Sequence, residues 1–263
     1  MLMIPLRWFM LESPRWLAAK GRYDEADRIV SLLEKSVIAR GGVLPAPAPV
    51  DALAGPESKT NWRELFSGIY LKRTLTIWVL WFTSYVVANG TITWLPTLYR
   101  QTFKLPLETS LAYGFTTSFA GLVAAVACAL LIDRVGRKRW YVIAFVGATI
   151  PLAALTLLGA TSAIQVLVLA GLGYAIVQTI TFSLYLYSAE LYPTRLRAIG
   201  AGVGSAWLRL GSSSGPILVG WVIAGFGIQY VFAVFAGVLL IGSLVTALFA
   251  IETKGRILEE LSP

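Results

Sequence analysis

Six apolar runs, at about 74–98, 109–132, 140–160, 164–189, 198–224 and 229–250, fill most of the 263-residue chain, with only a few residues between successive runs. Each is long enough to cross a hydrocarbon core of about 30 Å as a helix of about 20 residues. Runs so closely spaced leave one arrangement open, a bundle of membrane helices that satisfy their backbone polar groups internally. Charged residues are 14% of the chain, against about 25% in soluble domains, too few to cover a water-soluble globule. The reading is an all-α integral membrane protein, with residues 1–73 leading into a six-span bundle at 74–250 and a tail at 251–263.

The formal charge of +8 would suit nucleic acid, so its placement decides its meaning. Of the 22 Lys and Arg, 11 lie in 1–73, four between Arg134 and Arg139, two at Arg195 and Arg197, and two at Lys254 and Arg256. Alternating spans put all of these on one side, and leave Arg100 and Lys104 on the other and Arg209 inside the fifth run. The positive-inside rule then makes both termini and the leading segment cytoplasmic. The basic excess reports topology, with the lipid bilayer as partner and no nucleic acid. Cys128 stands alone in an apolar run and reads as packing. With no histidine and one cysteine, no nucleophile, base or metal ligands are expected to converge at one depth, so no enzyme, metal site or cofactor is expected.

Met1 to Met10 is apolar but too short to span, lacks signal-peptide features, and reads as the stub of another helix. Tyr23 to Arg40 places Ala26, Ile29, Val30, Leu33 and Val37 at helical spacing and stops at Gly41-Gly42. Val43 to Ser58 is a Pro/Ala-rich connector. Asn61 to Tyr70, with Trp62, Leu65, Phe66 and Ile69, predicts a helix on the membrane surface that enters the first span through Lys72 and Arg73.

Charged motifs stand at cytoplasmic span ends: Glu12-Ser-Pro-Arg15 with Trp16-Leu17, Asp133-Arg-Val-Gly-Arg-Lys138, Glu190-Leu-Tyr-Pro-Thr-Arg-Leu-Arg197, and Glu252-Thr-Lys-Gly-Arg256. Together, over the whole chain, they resemble the second half of a major facilitator superfamily transporter of the sugar-porter and metabolite:proton symporter branch. The resemblance implies a six-helix bundle equivalent to the C-terminal half of that fold and a bacterial inner-membrane location. It also implies an N-terminal six-span half as partner, since members have twelve spans; a fragment and a natural half remain alternatives. A small organic solute would move by alternating access, with the proton as coupling ion. Asp133, Arg134, Gly136, Arg137, Glu190, Arg195 and Arg197 would form the cytoplasmic network that stabilises the outward-open state. Read from the residues alone, Asp133 ends a span, Gly136 permits a tight reversal and the arginines anchor the interface, and simple anchoring is the alternative. Ala129 stands where the family usually has glycine.

Spans three and six hold little that is polar beyond Thr149, Thr156, Ser243 and Thr246, and suit an outer, lipid-facing place. Span one carries Ser84, Asn89, Thr91 and Thr93 among Trp78, Trp81, Tyr85 and Trp94, and span four carries Gln178, Thr179, Thr181, Ser183, Tyr185 and Tyr187. Polar groups in a membrane need partners or a wet cavity, so these spans are the expected substrate wall. Gly90, Pro96, Gly171 and Gly173 are expected helix breaks. Gly200, Gly204, Gly211 and Gly215 in span five allow close helix approach, and the resemblance puts this span between the two halves.

Arg209 lies near the middle of span five, where an arginine costs ~2.5–3.5 kcal/mol on insertion scales and so demands a partner or water. Its planar guanidinium suits a carboxylate, and Gly204-Ser-Ala-Trp-Leu-Arg209-Leu-Gly-Ser212 resembles the matching helix of organic anion transporters. The expected substrate contacts are Arg209, Asn89, Gln178, Tyr85, Trp81 and Tyr185, taking a small carboxylic acid such as nicotinate or a benzoate. The alternatives are pairing of Arg209 with the other half, a neutral-metabolite or sugar porter, and a half that only binds or regulates. No carboxylate lies mid-span, so a proton-coupling acid would belong to the other half.

Overall fold

The computed structural model describes residues 12–44 and 61–256, and among these residues there are helices and turns and no strand. The chain divides into two compact units, Met1–Ser58 and Lys59–Pro263. In the first, α1 (Pro14–Ala19) opens with proline at its first position, where the missing N–H costs nothing. The chain then turns through Gly21 into α2 (Tyr23–Ala39). Arg22 pairs with Glu25 at 2.5 Å across the first turn of α2. Of the α2 apolar stripe only Ala26 is buried, while Val30, Leu33 and Val37 are exposed. The opening Met1 to Met10 and most of the Val43 to Ser58 connector lie outside the described residues.

The second unit begins before residue 73. In place of a continuous helix over Asn61 to Tyr70, a 3-10 turn, Trp62–Phe66, is capped by the Asn61 side chain, which accepts from Arg63 N at 3.0 Å. The reason is local. Ser67 is extended and Gly68 takes a positive φ of 52°, which folds the turn back on the helix that follows. Leu65 is thereby fully buried, and its carbonyl accepts from Thr74 Oγ1 at 3.1 Å. The compact unit that holds the bundle thus takes in this turn as well as the helices.

Six helices follow: α3 (Gly68–Gln101), α4 (Leu107–Val135), α5 (Arg137–Leu158), α6 (Ala163–Glu190), α7 (Thr194–Gly225) and α8 (Ile228–Phe249). Among the described residues five of them, all but α7, are long and apolar enough by length and composition to cross a membrane. In α7 the interruption comes from Arg209 and Ser212 to Ser214. The central element is α3, packed on α7, α8, α6 and α4, while α5 joins α6 to α8. The most exposed span is α4, whose Phe115, Phe119, Leu122, Val126 and Leu130 all lie on the surface of this unit.

Gly204, Gly211 and Gly215 of α7 turn to α3, inside the unit. A Cβ on Gly211 would stand 2.7 Å from the Phe82 carbonyl oxygen, and one on Gly215 would overlap the Val86 carbonyl. Gly90 of α3 also meets α8, where a Cβ would overlap the Phe235 ring. The expected breaks are absent: α3 runs unbroken through Gly90 and Pro96, and α6 through Gly171 and Gly173. Small residues here let backbones approach and do not interrupt the helices.

Candidate functional site

A cleft of about 270 Å³ opens between α3 and α6. Tyr85, Ala88, Asn89 and Ile92 reach it from α3 and Tyr174, Gln178, Thr181, Phe182 and Tyr185 from α6. Both sets follow the three- and four-residue steps that keep side chains on one helix face. Thr181 Oγ1 donates to Gln178 Oε1 at 3.0 Å. Asn89 Nδ2 donates to Ser212 Oγ of α7 at 3.1 Å, leaving its carbonyl oxygen as an acceptor. The wall is uncharged, made of amides, hydroxyls and aromatic rings.

Four of the expected substrate contacts, Tyr85, Asn89, Gln178 and Tyr185, thus meet in one cleft. Trp81 does not line it. That residue is 1% exposed, donates from Nε1 to Ser188 Oγ at 3.0 Å, and packs edge-on against Tyr185 at 4.7 Å, as a support beneath the two tyrosines. Thr179 and Ser183 turn elsewhere: Trp140 Nε1 donates to Thr179 Oγ1 at 3.2 Å, and Ser183 Oγ donates to the Thr179 carbonyl. Tyr174 and Phe182 are cleft residues that polarity in the sequence does not mark. The helical step from Gln178 and Tyr185 would have found them.

Arg209 stands outside the cleft lining. It is exposed and makes no ion pair or hydrogen bond among the described residues. Three residues before Ser212, it lies about 60° round α7 and about 4.5 Å along it. Ser212 bonds Asn89, so Arg209 lies on the flank of α7 next to the cleft, turned from the glycine face that meets α3.

A second polar cluster closes the end of the unit where α4 stops and α5 begins. Gly136 joins them at φ 97°, and a Cβ there would stand 2.6 Å from Glu252 Oε2. Arg137 grips Glu190 with two bonds, Nε to Oε2 at 3.1 Å and NH2 to Oε1 at 2.7 Å, and touches Asp133 at 2.7 Å. Glu252 accepts from the Arg137 and Lys254 amides at 2.8 and 3.1 Å. Thr253 Oγ1 donates to Glu190 Oε2, Lys254 Nζ donates to the Arg134 carbonyl, and Tyr187 Oη donates to the Ile251 carbonyl at 2.8 Å. Glu252 and Thr253 belong to the Glu252-Thr-Lys-Gly-Arg256 motif, whose spacing alone carries no signal of this role. Arg197 has Nε and one NH2 buried without a partner, and the side chain of Arg195 lies outside the described residues.

The described residues thus form an all-helical bundle with an uncharged polar cleft between α3 and α6 and an ion-paired cluster at one end. The chain belongs to the family described as "Sugar (and other) transporter", whose model matches residues 1–263. It is 31% identical over 252 residues to the niacin transporter NiaP of Acinetobacter baylyi, covering 95% of this chain and 56% of that one. It is 28% identical to the putative metabolite transport protein YdjK of Escherichia coli (98% and 56% covered) and 28% identical to human solute carrier family 22 member 16 (95% and 42% covered). The fold matches the major facilitator superfamily proton:xylose symporter XylE with a TM-score of 0.72 at 19% identity, over 99% of this chain and 55% of that one. The chain therefore spans about half the length of these relatives, and it is an integral membrane protein.

Proposed function

We propose that the chain forms one half of an alternating-access transporter for a small organic anion, proton-coupled, in a bacterial inner membrane. A six-span N-terminal half completes the pathway and supplies the titratable carboxylate. All six helices cross the membrane, α7 included: its 32 residues make about 48 Å of helix, more than the ~30 Å core requires. The ion-paired cluster of Arg137, Glu190 and Asp133 lies on the cytoplasmic side and holds one conformer of the cycle until its contacts exchange.

The observation that carries the anion reading is Arg209, a cation in the middle of α7 with no partner among the described residues, on the flank next to Asn89 and the cleft. A guanidinium at that depth is stabilised by an anion in a wet cavity. The relative named as a niacin transporter supports it, since niacin is a pyridine carboxylate. A neutral polar solute is the second reading, favoured by the uncharged cleft wall itself. Uptake into proteoliposomes that hold the chain with its complementary half separates the two. Arg209→Ala is expected to abolish nicotinate or benzoate uptake, and Arg209→Lys to retain a few per cent. Normal anion uptake by Arg209→Ala, or preference for an uncharged sugar, would overturn the anion reading.

A further inference from the structure

At the end of the unit away from the Arg137–Glu190 cluster, the turn from α3 to α4 encloses a cavity of about 470 Å³, within the usual range for small-molecule sites. Arg100 and Lys104 line it with Thr97, Gln101 and Ser110, and no carboxylate does. Neither cation makes an ion pair or hydrogen bond among the described residues. The turn that presents them is pinned: Thr102 N and Leu105 N donate to the Leu98 and Tyr99 carbonyls at 2.9 and 3.1 Å. Tyr99, fully buried, packs edge-on against Tyr113 at 5.3 Å. Lys104 is held at φ 54°, a region non-glycine residues seldom enter, so its position is fixed by the turn. Two cations unpaired among the described residues, in a concave site whose lining holds no carboxylate, concentrate anions there, with Glu108 next to Leu107 as the one acidic neighbour in the first turn of α4.

A neighbouring space between α3 and α7 shares Thr97 and Gln101 with this cavity and adds Thr93. Thr93 stands one turn from Asn89 of the cleft, so Asn89, Thr93, Thr97 and Gln101 form one polar row along α3 at four-residue steps.

We infer that the α3–α4 turn is an outer binding site for small carboxylates, which Arg100 and Lys104 collect at the far mouth and the polar row of α3 passes toward the cleft. The site rests on the anion reading for the identity of its ligand but not for its charge selectivity, so it is testable without transport. Native Cys128 is fully buried, which leaves Leu107→Cys, at an exposed lining position, as the reactive thiol. Full chain in phosphatidylcholine liposomes is labelled with anionic sulfonatoethyl and cationic trimethylammonioethyl thiosulfonates. The ratio of anionic to cationic rates is expected to fall about fivefold or more when Arg100 and Lys104 become glutamine, and millimolar benzoate is expected to slow labelling only while both cations are present. An unchanged ratio, or no protection by benzoate, overturns the site. Protection that appears only when phosphatidylglycerol is added assigns the cations to a lipid headgroup and also overturns it. If this charge selectivity and protection hold while Arg209→Ala transports normally, the outer site stands and the Arg209 reading alone falls.

Discussion

The two carboxylates on Arg137 illustrate how shelter decides the strength of an ion pair. Glu190 is bound through two donors and its side chain is 21% exposed, whereas Asp133 makes one contact and is 72% exposed. Water screens the second pair to below about 1 kcal/mol, while hydrogen bonds to a sheltered charge contribute about 1.5–3 kcal/mol. Arg137→Ala is therefore expected to destabilise the bundle by about 1.5–3 kcal/mol and Asp133→Asn by less than about 1 kcal/mol. Denaturant unfolding in detergent, followed by helical circular dichroism, measures both, and equal losses would refute this ranking. The motifs showed that both signs meet at this depth. They did not show that Glu252 would cap the turn at Gly136, because that depends on the chain after α8 crossing back to Tyr187, a contact of long sequence separation.

Helix α7 shows what spacing reveals about an element and what it leaves open. Four glycines at four- and seven-residue steps announce a close packing face, but periodicity carries no information about which neighbour meets it. The structure turns that face to α3, because the Phe82, Val86 and Gly90 backbone leaves no room for a Cβ. It thereby turns Arg209 outward. Gly215→Ala forces two backbones apart and is expected to destabilise by about 1–3 kcal/mol, with a lowered Tm in detergent. Gly202, also in α7, has nothing within 4 Å of a Cβ, so Gly202→Ala is expected to be neutral or to stabilise by about 0.5–1 kcal/mol. A Gly215→Ala protein as stable as Gly202→Ala would show that α3 and α7 do not touch at this register. The polar wall was legible for the related reason that an uncharged amide in an apolar helix is conspicuous. Tyr174 and Phe182 were less so, since an aromatic ring looks the same in a core as in a cleft.

At the scale of the whole molecule, charge placement and helix direction make a joint statement. The α3–α4 turn carries Lys104, and the α4–α5 joint carries Arg134, Gly136 and Arg137, so a chain of alternating helices puts these two regions on opposite faces of the membrane. Nineteen of the 22 cations belong to the second face or to segments the alternation assigns to it, and translocating that many across a bilayer is strongly disfavoured. The expected orientation has α2 and the Arg137 cluster in the cytoplasm and Lys104 outside. A thiol introduced as Lys104→Cys should react with an impermeant maleimide from outside intact cells, whereas Ser36→Cys on α2 should react only in inside-out vesicles. Native Cys128, fully buried, should stay unlabelled in both. Labelling of position 36 from outside would reverse the orientation, and labelling of both positions from one side would remove a span and with it the alternation on which the arrangement of cleft and ion-paired end depends.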